Sequence, residues 1–284
     1  MNIMNTGLPF KKMHGLGNDF VVIDAREHDI TFDDAAAKRI ADRRTGVGCD
    51  QFIVLEPAKS DGADVFMRIR NQDGGEVGAC GNATRCIADQ IMNEMTSDSA
   101  VIETLAGHLK TWRADNGLVS VDMGPVHTDW QSIPLSREMD TLKLDLNVGA
   151  LKTPAAVNVG NPHCSFFVED AEHTVIEKIG PEVEKHPLFP ERTNVQIIQV
   201  LSEKRIRVRV WERGVGMTQA SGSSACATAV NAHRRGRTGP KVEVVLDGGI
   251  LIVEHTADNR VIQTGAFATS FEGVLDDDLL RGGA

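Results

Sequence analysis

Two loops carry the side chains best suited to chemistry in this chain, residues 71–86, NQDGGEVGACGNATRC, and residues 211–226, WERGVGMTQASGSSAC. Each follows an alternating strand, VFMRIR in one case and RIRVRVW in the other, and each opens into an apolar helix. At each loop-to-helix joint a small side chain with an exchangeable proton precedes a glycine: Cys80-Gly81 in the first, Ser221-Gly222 in the second. Backbone N–H groups and the positive end of a helix dipole gather at such a joint, so it can hold a carboxylate and favour a thiolate. Two joints together suit a task that one base cannot perform, taking a proton from one face of a carbon and returning one to the opposite face. Cysteine fits this role because its free pKa of ~8.5 falls at a helix N-terminus, so thiol and thiolate coexist near neutral pH. The C–H bond beside an amino acid carboxylate is a very weak acid, and the charge that develops needs preorganised donors. The backbone N–H groups of Gly81, Asn82, Gly222 and Ser223 are placed to supply them.

The joints repeat within the chain. Positions 80 and 221 lie 141 apart, and other pairs keep nearly that offset: Gly17-Asn18 with Gly160-Asn161, and Gln51 with Asn194, both at 143. Self-similarity of this kind predicts a duplication, hence two similar lobes facing one another across a cleft.

The elements that must position these residues follow from periodicity. Residues 7–24 read as two short strands about a Gly-rich turn at Gly15 to Gly17, and residues 32–44, Ala-rich with acids in the first turn, read as a helix. Strands are expected at 51–56 and 63–70, then the first joint and a helix to about Met95, then strands at 100–104, 107–114 and 117–123. Gly124-Pro125 and the irregular stretch to about Arg137 mark a boundary between lobes. The second lobe repeats the programme, with strands at 155–160 and 164–168, a helix at 171–185, strands at 194–200 and 205–211, the second joint, a helix at 222–236 and strands at 241–246, 249–255 and 260–264. A last strand at about 267–275 lies beyond the repeat and is expected to cross back. The expected division is therefore 1–125 for the N-terminal lobe, with about 267–284 returning to it, and 126–266 for the C-terminal lobe.

Composition narrows the function classes. The 284 residues are enough for two domains. A net charge of −10 with no Lys/Arg run longer than a doublet makes nucleic acid and anionic membrane poor partners and leaves a small charged metabolite open. No apolar run approaches the ~20 residues of a membrane span, and MNIMNTGLPFKK lacks the apolar core of a secretory signal, so a cytoplasmic location is expected. Five cysteines, Cys49, Cys80, Cys86, Cys164 and Cys226, argue for reduced thiols over a disulfide framework. No C-x-x-C pair is present, and the adjacent His163-Cys164 would point to opposite faces of a strand, so no metal site is expected. Neither joint holds a lysine for a pyridoxal Schiff base, and no cofactor is expected. Cys49, Cys86, Cys164 and Cys226 read as core residues.

GLGNDF at 15–20, NQDGGEVGACGNATRC at 71–86, GNPHC at 160–164, RTN at 192–194 and ERGVGMTQASGSSAC at 212–226 together resemble the diaminopimelate epimerase family, from about Phe10 to Leu275. The resemblance implies an α/β fold of two pseudo-symmetric lobes, each a curved, mostly antiparallel sheet wrapped around a central helix, in a homodimer. It also implies cofactor-independent interconversion of LL- and meso-diaminopimelate, a step of lysine and peptidoglycan synthesis. Carried over residue by residue, Cys80 matches the first catalytic cysteine and Ser221 falls where the second belongs. His163 and Glu212 match the polar pair that tunes the thiols. Arg213, Asn71, Asn161 and Asn194 match groups binding the distal end of the substrate, Asn18 and Gln51 further contacts, and Gly81-Asn82 with Gly222-Ser223 the donors for the reacting carboxylate.

Two positions depart from the family pattern. A serine hydroxyl does not ionise near pH 7 without a dedicated base, so Ser221 implies severely impaired epimerisation. Because the surrounding residues keep the active pattern, Ser221 reads as a deliberate Cys→Ser substitution in an otherwise working enzyme, the alternative being a natural variant. Met217 stands where the family often has Glu and alters only loop polarity. Two other functions remain open at this point. One is a proline or hydroxyproline racemase-like enzyme or one-base dehydratase of the same superfamily, the other a non-catalytic ligand-binding relative.

Overall fold

The computed structural model describes residues 7–281 except position 29. The chain divides into two compact units, residues 1–121 with 266–284 and residues 122–265.

The first unit is built from alternating strands with apolar residues on both faces. Leu8–Gly15 pairs antiparallel with Asn18–Asp24 on one side and with the returning strand Ala268–Leu275 on the other. Asn18–Asp24 runs parallel to Gln51–Glu56, which pairs antiparallel with Val65–Asn71. Ser99–Thr104 joins that strand in parallel and continues antiparallel into Gly107–Arg113. Phe20, Val22, Ile53, Leu55, Met67 and Ile69 point to one face and enclose the helix Gly81–Met95, whereas Val21, Ile23, Phe52 and Val54 point to the other face, against the helix Asp34–Ala41.

Two helices fill those faces. The shorter, α1 (Asp34–Ala41), starts where the Asp33 carboxylate accepts the Ala36 N–H at 2.7 Å, and it packs on the Val21/Phe52 face. The longer, α2 (Gly81–Met95), is buried along most of its length and lies on the Phe20/Ile53 face, against strands from both ends of the sheet. A flat sheet cannot touch one helix from both ends, so the sheet is curved around α2.

The second unit repeats this plan. Ala155–Asn158 pairs antiparallel with Pro162–Val168, which runs parallel to Asn194–Ser202, and that strand pairs antiparallel with Arg205–Glu212. Lys241–Leu246 joins in parallel and leads antiparallel into Gly249–His255 and Arg260–Gly265. Helix α3 (Ile176–Glu184) covers one face, with Phe166, Val195, Ile197 and Val183 in a shared cluster. Helix α4 (Gly222–Arg234) occupies the other and contacts strands from Ala155–Asn158 through Arg260–Gly265.

Two helices are shorter than periodicity predicts. The expected helix at 32–44 stops at Ala41 because Asp42 is extended (φ −63°, ψ 124°) and its carboxylate accepts the N–H groups of Arg44 and Thr45. The expected helix at 171–185 begins only at Ile176, since the Asp170 carboxylate takes the N–H groups of Glu172 and His173 and holds that segment as a turn. Each joint also contains a short strand that periodicity does not reveal. Glu76–Val77 folds back on Ile69 and Arg70, and Gly216–Thr218 folds back on Val210 to Glu212.

Candidate functional site

In the first unit Cys80 is the N-cap of α2, extended at φ −147°, half-buried, and makes no side-chain capping bond. Helix geometry provides no intrahelical acceptor for the first N–H groups after it, those of Gly81 and Asn82 included. The Cys80 thiol approaches Asn18 Oδ1 at 3.7 Å, and Asn82 Nδ2 donates to the same oxygen at 3.2 Å. Asn18 is held in turn by its own Nδ2, which donates to Asp50 Oδ2 at 3.0 Å. The carbonyl edge of this amide thus faces the thiol. Gln51 and Asn71 stand opposite one another in adjacent strands, and Gln51 Nε2 donates to Asn71 Oδ1 at 3.1 Å.

An ionic cluster fixes that arrangement. The Asp19 N–H donates to Asp50 Oδ2 at 3.1 Å and the Asp50 N–H to Asp19 Oδ1 at 2.9 Å, Arg43 forks onto Asp19 at 2.7 and 3.1 Å and reaches Asp50 at 2.8 Å, and Lys12 pairs with Asp19 at 2.5 Å. Burial pushes the Asp19 carboxyl up, but the hydrogen bonds from Arg43 and Lys12 outweigh it and hold the group well below the usual carboxylate range. Within α2, the fully buried Arg85 donates to Asn82 Oδ1 at 2.7 Å and to Ala266 O at 3.3 Å, which sets the first turn of the helix.

In the second unit Ser221 is the N-cap of α4 (φ −135°), and its hydroxyl accepts the Ser224 N–H at 3.4 Å while donating to Glu212 Oε2 at 3.0 Å. A Cβ at Gly222 would lie 2.8 Å from Gln263 Oε1, so any side chain there would force the buried Gln263 amide to shift. Ser223 follows on the half-buried side of the first turn. His163 is wholly buried, with Nε2 2.6 Å from Asn161 Oδ1 and Nδ1 2.8 Å from Gln196 Nε2. Burial, helped by the charge of Arg213, pushes the His163 imidazole down to about 3, so it is neutral throughout the physiological range. Asn194 uses both ends of its amide on backbone, donating to Pro162 O at 3.0 Å and accepting the Arg213 N–H at 3.0 Å. The Arg213 guanidinium is exposed and donates to Glu191 O at 3.0 Å.

The structure therefore gathers Asn18, Cys80 and Asn82 in one cluster, with Gln51 paired to Asn71 beside it in the sheet. It links Asn161 to His163, Asn194 to Arg213, and Glu212 to Ser221. The other cysteines lie in the core, where burial pushes the thiols of Cys49 up to about 11 and of Cys86 up to about 12, and that of Cys164 further. No one of these three supplies a thiolate near pH 7.

Several supporting residues escape sequence reasoning. Gln196, Ser165, Ser224 and Asn231 form a buried polar network beneath His163. The buried Glu184 accepts Trp211 Nε1–H at 2.8 Å and the Gly214 N–H at 3.1 Å, buttressing the loop that carries Glu212 and Arg213. A signal for the network was present, since Ser165 and Gln196 interrupt the apolar runs HCSFFV and NVQII.

The fold is shared with solved structures of low sequence identity. A hydroxyproline epimerase from Agrobacterium vitis superposes with a TM-score of 0.68 at 16% identity, over 99% of this chain and 96% of that one. A phenazine biosynthesis protein of the PhzF family from Enterococcus faecalis gives 0.69 at 14%, over 95% and 99%. These likenesses define the class of fold, two units each holding a helix within a curved sheet. Sequence defines the family within it. The family model described as Diaminopimelate epimerase matches residues 10–128 and 155–269. Proteins named diaminopimelate epimerase from Rhodospirillum centenum and Erythrobacter litoralis are 50% and 51% identical over 273 and 268 residues, covering 96% and 94% of this chain and 94% and 97% of theirs. The chain belongs to the diaminopimelate epimerase family.

Proposed function

We propose that this chain is an isomerase that interconverts LL- and meso-diaminopimelate by proton transfer at the α carbon, using its own side chains and no cofactor. The observation that carries the reading is identity near 50% along nearly the whole chain to proteins of that name. Cys80 is assigned to the proton on one face of the α carbon and the side chain at 221 to the other. The N–H groups that open α2 and α4, at Gly81, Asn82, Gly222 and Ser223, serve the substrate carboxylate, whose charge grows as the α proton leaves. Glu212 tunes the side chain at 221, and neutral His163 holds Asn161. Asn18, Gln51, Asn71, Asn161, Asn194 and Arg213 bind the rest of the substrate.

Ser221 sets the activity of the chain as written. Its hydroxyl donates to Glu212 Oε2, yet a carboxylate is too weak a base to produce an alkoxide at neutral pH. Loss of one of two acid–base groups lowers turnover by about 10³-fold. Restoring the thiol with Ser221→Cys, and following inversion of diaminopimelate together with deuterium uptake at Cα in D2O, tests this directly. A gain of that order supports the reading, and absence of exchange in the restored chain rejects it. Ser221 also favours a second reading, a binding protein that has lost turnover. That reading expects the ligand to raise the melting temperature without exchange even after Ser221→Cys.

Among the described residues no helix is long and apolar enough to cross a membrane. A cytoplasmic homodimer acting on a small molecule, without nucleic acid or membrane partners, is the setting that fits a biosynthetic enzyme of this family.

A further inference from the structure

Five buried side chains of the second unit form a hydrogen-bond chain whose direction is set by what each member can give. Asn231 Nδ2 donates to Ser165 Oγ at 3.1 Å, and that hydroxyl donates to Gln196 Oε1 at 3.0 Å. Gln196 Nε2 then spends one hydrogen on Ser224 Oγ at 3.1 Å and the other on His163 Nδ1 at 2.8 Å. A neutral imidazole has one N–H and one bare nitrogen. With Nδ1 accepting, the proton resides on Nε2 and is donated to Asn161 Oδ1 at 2.6 Å. The Asn161 carbonyl is thereby turned inward, and its NH2 group is left for what lies on the other side. Burial keeps His163 neutral, so the ring does not satisfy both neighbours by donating twice.

We propose that Gln196 is a positioning residue: through the tautomer of His163 it orients the Asn161 amide so that its NH2 edge, not its carbonyl, meets an anionic group of the substrate. The inference rests on the reading that Asn161 contacts substrate. An amide turned the other way would set a carbonyl against a carboxylate, which repels it. Gln196, Ser165 and His163 are wholly buried, and a side chain with both donor and acceptor ends is required at 196 to keep the chain running in one direction.

The test has two arms on the full chain. In the first, imidazole 15N–1H correlation spectra read the His163 tautomer without ligand. The Nε2–H form is expected, and the Nδ1–H form overturns the proposal. In the near-isosteric Gln196→Met variant the Nδ1–H form is expected to appear, and an unchanged Nε2–H spectrum also overturns it. In the second arm, calorimetry measures the affinity for meso-diaminopimelate in a double-mutant cycle. Gln196→Met is expected to weaken binding about tenfold but to change little in an Asn161→Ala background. Equal loss in both backgrounds reduces Gln196 to core packing and rejects the proposal. A tautomer that shifts while affinity stays constant rejects the contact between Asn161 and substrate. The epimerase reading itself stands or falls separately, on exchange in the Ser221→Cys chain.

Discussion

The two units place the same backbone under two different helix seats. Pairing of Phe20 with Gln51 and of Val22 with Ile53 in the first unit is matched by His163 with Asn194 and Ser165 with Gln196 in the second, at a constant offset of 143. Ala83, in the first turn of α2, corresponds to Ser224 in α4 at the offset of 141 that relates the two joints. The first seat is therefore Phe20, Val22, Ile53 and Ala83, all within one apolar cluster. The second is His163, Ser165, Gln196 and Ser224, all buried and joined by hydrogen bonds. Each unit fixes one amide of the candidate site, but by different means. In the first, Asn18 is held by Asp50 and the ionic cluster around Asp19. In the second, Asn161 is held by a neutral network from beneath. The two units share the ladder, and the core behind it differs.

The difference is read most strongly through pH. Folded His163 takes up its proton only near pH 3, whereas the unfolded imidazole does so near 6.5, so the unfolded chain binds more protons throughout that window. The stability from keeping His163 neutral is complete above pH 6.5 and falls by about 1.4 kcal/mol per unit as pH drops, approaching a loss of about 5 kcal/mol at pH 3. Phe20 gives the first unit no such term. Chemical denaturation from pH 7 to pH 4 is expected to show this slope, which His163→Gln removes. A slope that survives that substitution places the titrating group elsewhere.

Exchanging the seats gives a smaller effect. Phe20→His buries an imidazole among Val22, Ile53 and Ala83, and an unsatisfied polar group in such a site costs about 3 kcal/mol. The reverse exchange, made all at once as His163→Phe with Ser165→Val, Gln196→Ile and Ser224→Ala, removes donors and acceptors together, and its cost is expected to be less than the sum of the four single changes. Denaturant midpoints for the variants measure both. If Phe20→His costs under about 1 kcal/mol, the first seat has polar capacity that the structure does not show.

This comparison also marks where sequence reasoning stops. The paired offsets, the strand at 51–56 and the helix at 81–95 follow from periodicity and composition, because each is a local pattern of a dozen residues or so. Cys80 and Ser221 are readable as helix-start residues from the glycine that follows each. Asp50 and Gln196, which orient Asn18 and Asn161, are not. They reach their partners only because Gln51–Glu56 and Asn194–Ser202 run parallel to strands about 30 residues earlier, a register that no local pattern encodes. The truncated start of α3 has a similar cause, a side chain at Asp170 competing for backbone N–H groups.

The joints themselves differ by one capping bond, which predicts the smallest effect. Ser221 Oγ accepts the Ser224 N–H and donates to Glu212, whereas Cys80 caps nothing with its side chain. Ser221→Cys makes the second joint resemble the first. Sulfur is a weak acceptor, so the cap is lost and α4 is destabilised by about 1 kcal/mol, a fall of a few degrees in Tm. Scanning calorimetry of the two chains without ligand is expected to show this loss in the same variant that gains turnover. The stability of the serine form and the activity of the cysteine form then oppose each other at one atom, because a hydroxyl oxygen accepts an N–H well but ionises poorly, whereas a sulfur ionises more readily but is a weak acceptor. An unchanged or higher Tm in Ser221→Cys means that the bond to Ser224 contributes nothing, and the two joints are then energetically alike despite their different caps.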